Sequence, residues 1–463
     1  MASGHATNIA LSLKGPSHMS LQTSLLRQLE QPNLSENQRA ILRCQLAREY
    51  EDKGQYEAAR YIMGELWQRI GEHPKIEGLE QETAAEVLLR AGVLTSWIGN
   101  RTQVTEAQET ARNLITESLT IFQSFKDSKK IAEAHTELAW SYFKDGRYDE
   151  ARVMLKDALS RLGTESELKA LAILRSGIVE WGATRHHESL RILTEAAPLF
   201  EKINKSVVKG SYHNQLAIIF RTLTEAGTSD YLDRAFIEYE AASFHFEEAK
   251  HKPYLANVEN NLGFLFYKIG RYKEAHRHLD HARRLMVNLK DRVCVARVDE
   301  TRARVFIAQG NYTEAEKVAK SAVSVLEQSG NHALAEALIT HGTALAYLGH
   351  RDYARFTLLR AIELSEESGA MNRAGEAALI IIKKLGGRFE DAQSLSTRLP
   401  LVKELRRYEH DLIKQALISA GGIVSNAAHL LGTSHQHLIY IIEHRHRDLL
   451  KLRTPKKERP KRK

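Results

Sequence analysis

Gly270-Arg-Tyr-Lys-Glu-Ala275 decides the fold, because four other stretches share its plan. They are Gly54-Gln-Tyr-Glu-Ala-Ala59, Gly146-Arg-Tyr-Asp-Glu-Ala151, Gly310-Asn-Tyr-Thr-Glu-Ala315 and Gly349-His-Arg-Asp-Tyr-Ala354. Each has a glycine and, five residues on, an alanine; a tyrosine stands two residues after the glycine in all but the last, which has Arg351 there. Weaker copies centre on Gly99, Thr184 and Gly227. The resulting period of about 40 residues marks a stack of helical repeats.

The flanks repeat as well. Twelve residues before each terminal alanine stands another small residue: Ala47, Ala139, Gly263, Ala303 and Gly342, with Gly177 in the same relation to Ser189. Seven residues after it, four copies again have alanine: Ala158, Ala282, Ala322 and Ala361. Small residues at these intervals let two antiparallel helices cross closely, and the glycine turns the chain between them. Each unit is then a helix hairpin with an apolar face that only a neighbour can cover. The pattern resembles the tetratricopeptide repeat over roughly residues 36–390, with units longer than that family's norm and no terminal proline. The expected fold is all-α: an α-solenoid of about eight hairpins over residues 35–395, after a tail and lead-in helix in 1–34.

By that resemblance the first helix of each hairpin lines the concave face. The offsets place Ser211, Asn214, Asn257, Asn260, Arg297, Glu300, Arg304 and Glu336 toward a groove for a protein, peptide or small-molecule partner. The earlier units offer Ile41, Cys44, Leu89, Leu171 and Leu174 to the same face.

From Leu399 the pattern changes. Pro400 opens a helix that Gly421-Gly422 ends, Ser425 is expected to cap a helix over 426–431, Gly432 to turn left-handed, and Ser434 to cap a helix from His435 to about His446. Ala428, Gly432 and Leu438 have the spacing of a helix-turn-helix whose last helix enters a DNA major groove, with Ala427, Leu431 and Ile441 completing its core. Residues 396–450 resemble the Fis-type DNA-binding domain, through Glu404-Leu-Arg-Arg-Tyr-Glu409, Leu412-Ile413, Ala416-Leu417, Gly422, Ser425-Asn-Ala-Ala-His-Leu-Leu-Gly432-Thr-Ser434 and Leu438. That resemblance implies binding of double-stranded DNA and a homodimer formed through the helix over 400–420. The reading helix departs from the family, with His435 and His437 where arginine and threonine are usual, followed by the apolar Ile439-Tyr-Ile-Ile442. Gln436 is placed for a bidentate contact to adenine. Ser425, Asn426, Ser434, His435, Gln436, His437 and Tyr440 make up the expected reading surface.

Charge is concentrated beyond this helix. Residues 445–463 hold ten lysines and arginines against Asp448 and Glu458, a balance of +8 that equals the formal net charge of the whole chain. Arg445, Arg447, Lys451, Arg453, Lys456, Lys457, Lys461, Arg462 and Lys463 are therefore expected to track phosphates, the last seven from a basic tail over 451–463.

Other classes are poorly served. There is no glycine loop with a phosphate-binding lysine, no His-Glu-x-x-His and no serine elbow, so an enzyme is not expected, nor a cofactor. His276, His278, Asp280 and His281 lie close in sequence, but twenty-one histidines make such clusters common by chance and no metal is expected. Cys44 and Cys294 are too few for a disulfide framework, and no run is long and apolar enough for a membrane span; a cytoplasmic protein is the expectation. The chain reads as a bacterial transcription regulator with a partner-binding array, the alternative being an interaction scaffold without a specific DNA target.

Overall fold

A computed structural model describes residues 21–102, 104, 106–163, 166–225, 231–329, 333–367, 371–385, 401–431 and 433–452. Among them there is no strand. A lead-in helix α1 (Leu21–Leu29) precedes eight hairpins: α2 (Glu36–Glu51) with α3 (Tyr56–Met63), α4 (Gln81–Thr102) with α5 (Ala107–Ser124), α6 (Ser128–Lys144) with α7 (Tyr148–Arg161), and α8 (Glu167–Gly182) with α9 (His186–Glu195). After the short α10 (Ala197–Lys202) come α11 (Ser206–Glu225) with α12 (Leu232–Glu248), α13 (Lys252–Lys268) with α14 (Tyr272–Asn288), α15 (Arg292–Ala308) with α16 (Tyr312–Gln328), and α17 (Leu334–Tyr347) with α18 (Arg351–Glu367). A single helix, α19 (Met371–Leu385), precedes three more: α20 (Leu401–Ser419), α21 (Val424–Leu430) and α22 (His435–His444). The chain divides into two compact units between Tyr254 and Leu255, inside α13.

The repeated small residues act as expected. Ala47, Ala59, Ala139, Ala151, Ala275, Ala303, Ala315 and Ala354 have no exposed surface. A Cβ on Gly263 would lie 2.5 Å from Leu279 Cγ, and one on Gly342 2.6 Å from Leu358 Cγ, so the partner helix leaves no room for a side chain. The turn glycines Gly54, Gly146, Gly270, Gly310 and Gly349 all have positive φ, which L-residues with a Cβ rarely adopt.

The weaker copies divide. Thr184 does occupy a turn, at φ +62°. Gly99 does not: it lies inside α4, packed on Ala107, and the turn of that hairpin falls at Glu106 (φ +63°). Gly99 therefore takes the small-residue position of the helix crossing, and the unit before it is lengthened by the loop between Leu66 and Gln81. Gly227 lies outside the described residues.

Turns between hairpins use a device that the repeat did not announce. Lys126, Lys250 and Lys290 are left-handed, at φ 56–58°. At two of these turns the next residue is an aspartate that caps the following helix: Asp127 accepts from the Lys129 and Lys130 amides, and Asp291 from that of Cys294. Such caps satisfy backbone donors that the first helical turn otherwise leaves unpaired.

The unit ending at Tyr254 curls until its first hairpin meets its last helices. A Cβ on Gly54 would lie 2.7 Å from the His251 ring, and Lys205 pairs with Asp52 at 2.8 Å. In the other unit, one apolar core runs from α15 through α19. A second joins α20, α21 and α22, and Phe356 of α18 belongs to it.

Candidate functional site

The three terminal helices are built around Leu412, Ile413, Leu417, Ala427, Ala428, Leu438, Ile441 and Ile442, each at most 8% exposed. Gly421 and Gly422 end α20 with positive φ, the Gly422 amide donating to Leu417 O at 2.8 Å. Ser434 caps α22 as expected, its Oγ accepting from the His437 amide at 3.1 Å. Ser425 is not a cap: α21 begins two residues earlier than expected, at Val424 behind Ile423, because the apolar Val424 is drawn into the core. Ser425 is instead an exposed residue of the first turn. The expected left-handed turn at Gly432 lies outside the described residues, whereas Thr433 N donates to Ala428 O at 3.0 Å.

The expected DNA-facing residues fall into three groups. Ser425, Asn426, Ser434, His435, Gln436, Tyr440, Arg447 and Lys451 are exposed, with the Tyr440 ring stacked on His444 at 4.3 Å. His437 and Arg445 are turned inward against α18. The His437 ring is half-buried, its Nε2 lacks a hydrogen-bond partner, and burial together with Arg360 and Arg445 pushes its pKa down to about 3. Arg445 pairs with Glu363 of α18 and lies 3.5 Å from Glu409, which His446 Nε2 also contacts at 2.8 Å. Arg453, Lys456, Lys457, Lys461, Arg462 and Lys463 lie outside the described residues.

The expected groove residues also sort by what they contact. Asn214 and Asn260 are half-buried, and each has a buried Oδ1 without a hydrogen-bond partner. Ser211 bonds back to Val207 O at 2.9 Å, while Asn257 and Arg297 are exposed. The remaining three are engaged with neighbouring helices. Glu300 is buried, pairs with Arg304 and accepts from Thr340 Oγ1 at 2.6 Å, and Glu336 pairs with Arg373 at 2.7 Å. His278 and His281 both contact Glu259, at 2.9 and 3.2 Å.

Of the early residues assigned to the concave face, Cys44, Leu89 and Leu174 are core, because they pack between helices. Ile41 is half-buried, and Leu171 faces the interior of the first unit. There a cavity of about 130 Å³ is walled by Arg48, Glu51, Arg90, Trp97, Arg175 and Tyr254, with Ser211 also at its edge. Arg90 lies between Glu51 (2.6 Å) and Glu133 (3.6 Å), and Arg175 donates to Thr136 O at 2.6 Å. Burial pushes the Glu51 carboxyl up to about 7 against the pull of Arg90. Glu51 Oε1 and Arg90 Nε are buried without partners. Beside them Tyr56 stacks on Trp97 at 5.2 Å, and Lys144 lies 4.4 Å over the same indole. The signal was available in part: Trp97, Glu137 and Arg175 each stand two residues before a small crossing residue (Gly99, Ala139, Gly177).

A family model for the tetratricopeptide repeat matches residues 132–162, which are most of the α6/α7 hairpin. No curated protein matches the sequence. Among solved structures, a Rap protein complexed with competence and sporulation factor is similar at 15% identity and TM-score 0.50, over 79% of this chain and 99% of that one. A signal-transduction ATPase with numerous domains from Pyrococcus horikoshii, bearing a tetratricopeptide repeat sensor, is 13% identical at TM-score 0.47, over 94% and 68%. BtubC from P. vanneervenii is 20% identical at TM-score 0.41, over 48% and 92%. The chain thus matches the tetratricopeptide repeat over residues 132–162, and its described residues fold as an all-α solenoid of helix hairpins.

Proposed function

We propose that this protein is a DNA-binding transcription regulator whose array takes a peptide or protein partner. The carrying observation is the α21–α22 pair: two short helices on a shared core that leave Ser434, His435, Gln436 and Tyr440 exposed along one helix. A capped helix presenting hydroxyl, amide and imidazole groups can reach base edges, and the basic residues beyond it supply phosphate contacts. The partner reading is supported by the hairpin array itself, whose stacked repeats present extended helix faces to a partner. A Rap protein of similar fold is complexed with competence and sporulation factor, which agrees with a partner held by the array. The protein is read as a non-enzymatic cytoplasmic homodimer; no described helix is long and apolar enough to cross a membrane.

A scaffold without a DNA target is the second reading, favoured by the use of His437 and Arg445 against α18. Titrating the full chain with pooled random-sequence duplexes at low and moderate salt separates the two. Salt-dependent binding that weakens and flattens in the 1–450 truncation supports DNA recognition. No duplex binding at the lowest salt, by wild type or by variants with α22 freed from α18, leaves the scaffold.

A further inference from the structure

α22 is not presented freely. His437, in its first turn, is half-buried, with Arg360 of α18 close enough to act on its charge. Arg360 is itself buried and held by Glu327 of α16. Two turns further along, Arg445 pairs with Glu363. One turn before Arg360, Phe356 of α18, 3% exposed, enters the apolar core of the terminal helices. α18 thus touches α22 through side chains near its two ends, at His437 and at Arg445, while among the terminal helices its backbone packs mainly against α20.

The B-DNA major groove is about 12 Å wide, and an α-helix with its side chains is about 10–12 Å across. A reading helix therefore fills the groove and faces a phosphate wall on each flank. A protein helix packed against one flank takes the space that one of those walls needs. We infer that the described arrangement is a closed state, in which α18 occupies the place of one DNA backbone beside α22, so that duplex binding requires the terminal helices to leave α18. This rests on the DNA-binding reading above and adds to it a competition between array and duplex for the same helix flank. It also gives His437 and Arg445 two alternative partners, α18 in the closed state and DNA in the open one.

The test uses the full chain and a bound duplex pool, with variants on the array side only. Phe356→Ala removes the apolar anchor, and Glu363→Lys sets a cation against Arg445. Hydrogen exchange at α22 amides reports opening independently of DNA, and circular dichroism reports whether the helices persist. If Phe356→Ala lowers helix content, Glu363→Gln, which removes only the ionic contact, reads the same competition. The expected result is faster exchange along the α18-facing flank together with at least about fivefold tighter duplex binding. Faster exchange with duplex affinity equal to that of wild type overturns the closed state and leaves DNA binding intact. Failure of both wild type and opened variants to bind duplex at low salt removes the DNA-binding reading, and the competition with it.

Discussion

Acidification should loosen the C-terminal helices through His437. The imidazole is half-buried beside Arg360 and Arg445, and its pKa is pushed from 6.5 to about 3, so the ring is neutral when packed. Freed from that environment it would bind a proton near 6.5. Above pH 6.5 neither state is protonated and the packed form keeps its full stability. Between 6.5 and about 3 only the loosened form binds the proton, so stability falls with pH by about 1.4 kcal/mol per unit. From pH 7 to pH 5 the loss attributable to this ring is therefore about 2 kcal/mol, roughly a thirtyfold larger population of open α22. Hydrogen exchange of α22 amides at the two pH values, corrected for the intrinsic rate, measures that population. His410 works in the opposite sense, because its bond to Asp448 raises its pKa, so the comparison must be made against His437→Gln. An unchanged opening free energy in wild type, or the same pH slope in His437→Gln, would refute the reasoning.

Four further outcomes are expected from packing, capping and buried charge. Gly375→Ala, in α19 with nothing within 4 Å of the added Cβ, should stabilise by about 0.5–1 kcal/mol, whereas Gly263→Val should destabilise by at least about 1–3 kcal/mol against Leu279, both read by urea unfolding. Ser434→Ala removes the cap of α22 and should cost about 1 kcal/mol, seen as faster exchange of the His437 amide without change in the array. Arg90→Met leaves Glu51 and Glu133 without their shared buried partner; a loss of about 3–5 kcal/mol is expected as a lower thermal midpoint, and a stability equal to wild type would contradict a structural ion-pair network there.

The hairpin array was legible because its constraints are steric and repeat. A crossing that admits no side chain demands a small residue, and a left-handed turn favours glycine, so both stand out at a fixed interval. Where those demands are met by other means, the pattern misleads. Glu106 turns a hairpin without glycine, and Gly99 then looks like a turn although it serves a crossing. The left-handed lysines at 126, 250 and 290 carry no recognisable local signature beyond the aspartate or histidine next to them. In the terminal helices, core and cap positions were readable from spacing, but Ser425 lost its capping role because Val424 is needed inside. The inward turn of His437 and Arg445 was beyond local reasoning, since it depends on α18, far away in the sequence. The cavity of the first unit escaped for a similar reason: Arg48, Arg90 and Arg175 come from different hairpins that only curvature brings together.

Phe356 has a consequence for how the molecule can be divided. The sequence suggests a module boundary near residue 396, yet the core of the terminal helices includes a ring supplied by the last hairpin. A fragment cut at that boundary would expose the apolar wall that Phe356 covers, and grafting the terminal helices onto another protein would import an unfilled core. Release of the terminal helices from α18 should therefore uncover part of their apolar core, a cost that duplex binding has to offset. The unit of inheritance, in the sense of the smallest piece that can be transplanted intact, is the last hairpin together with α19 and the three terminal helices.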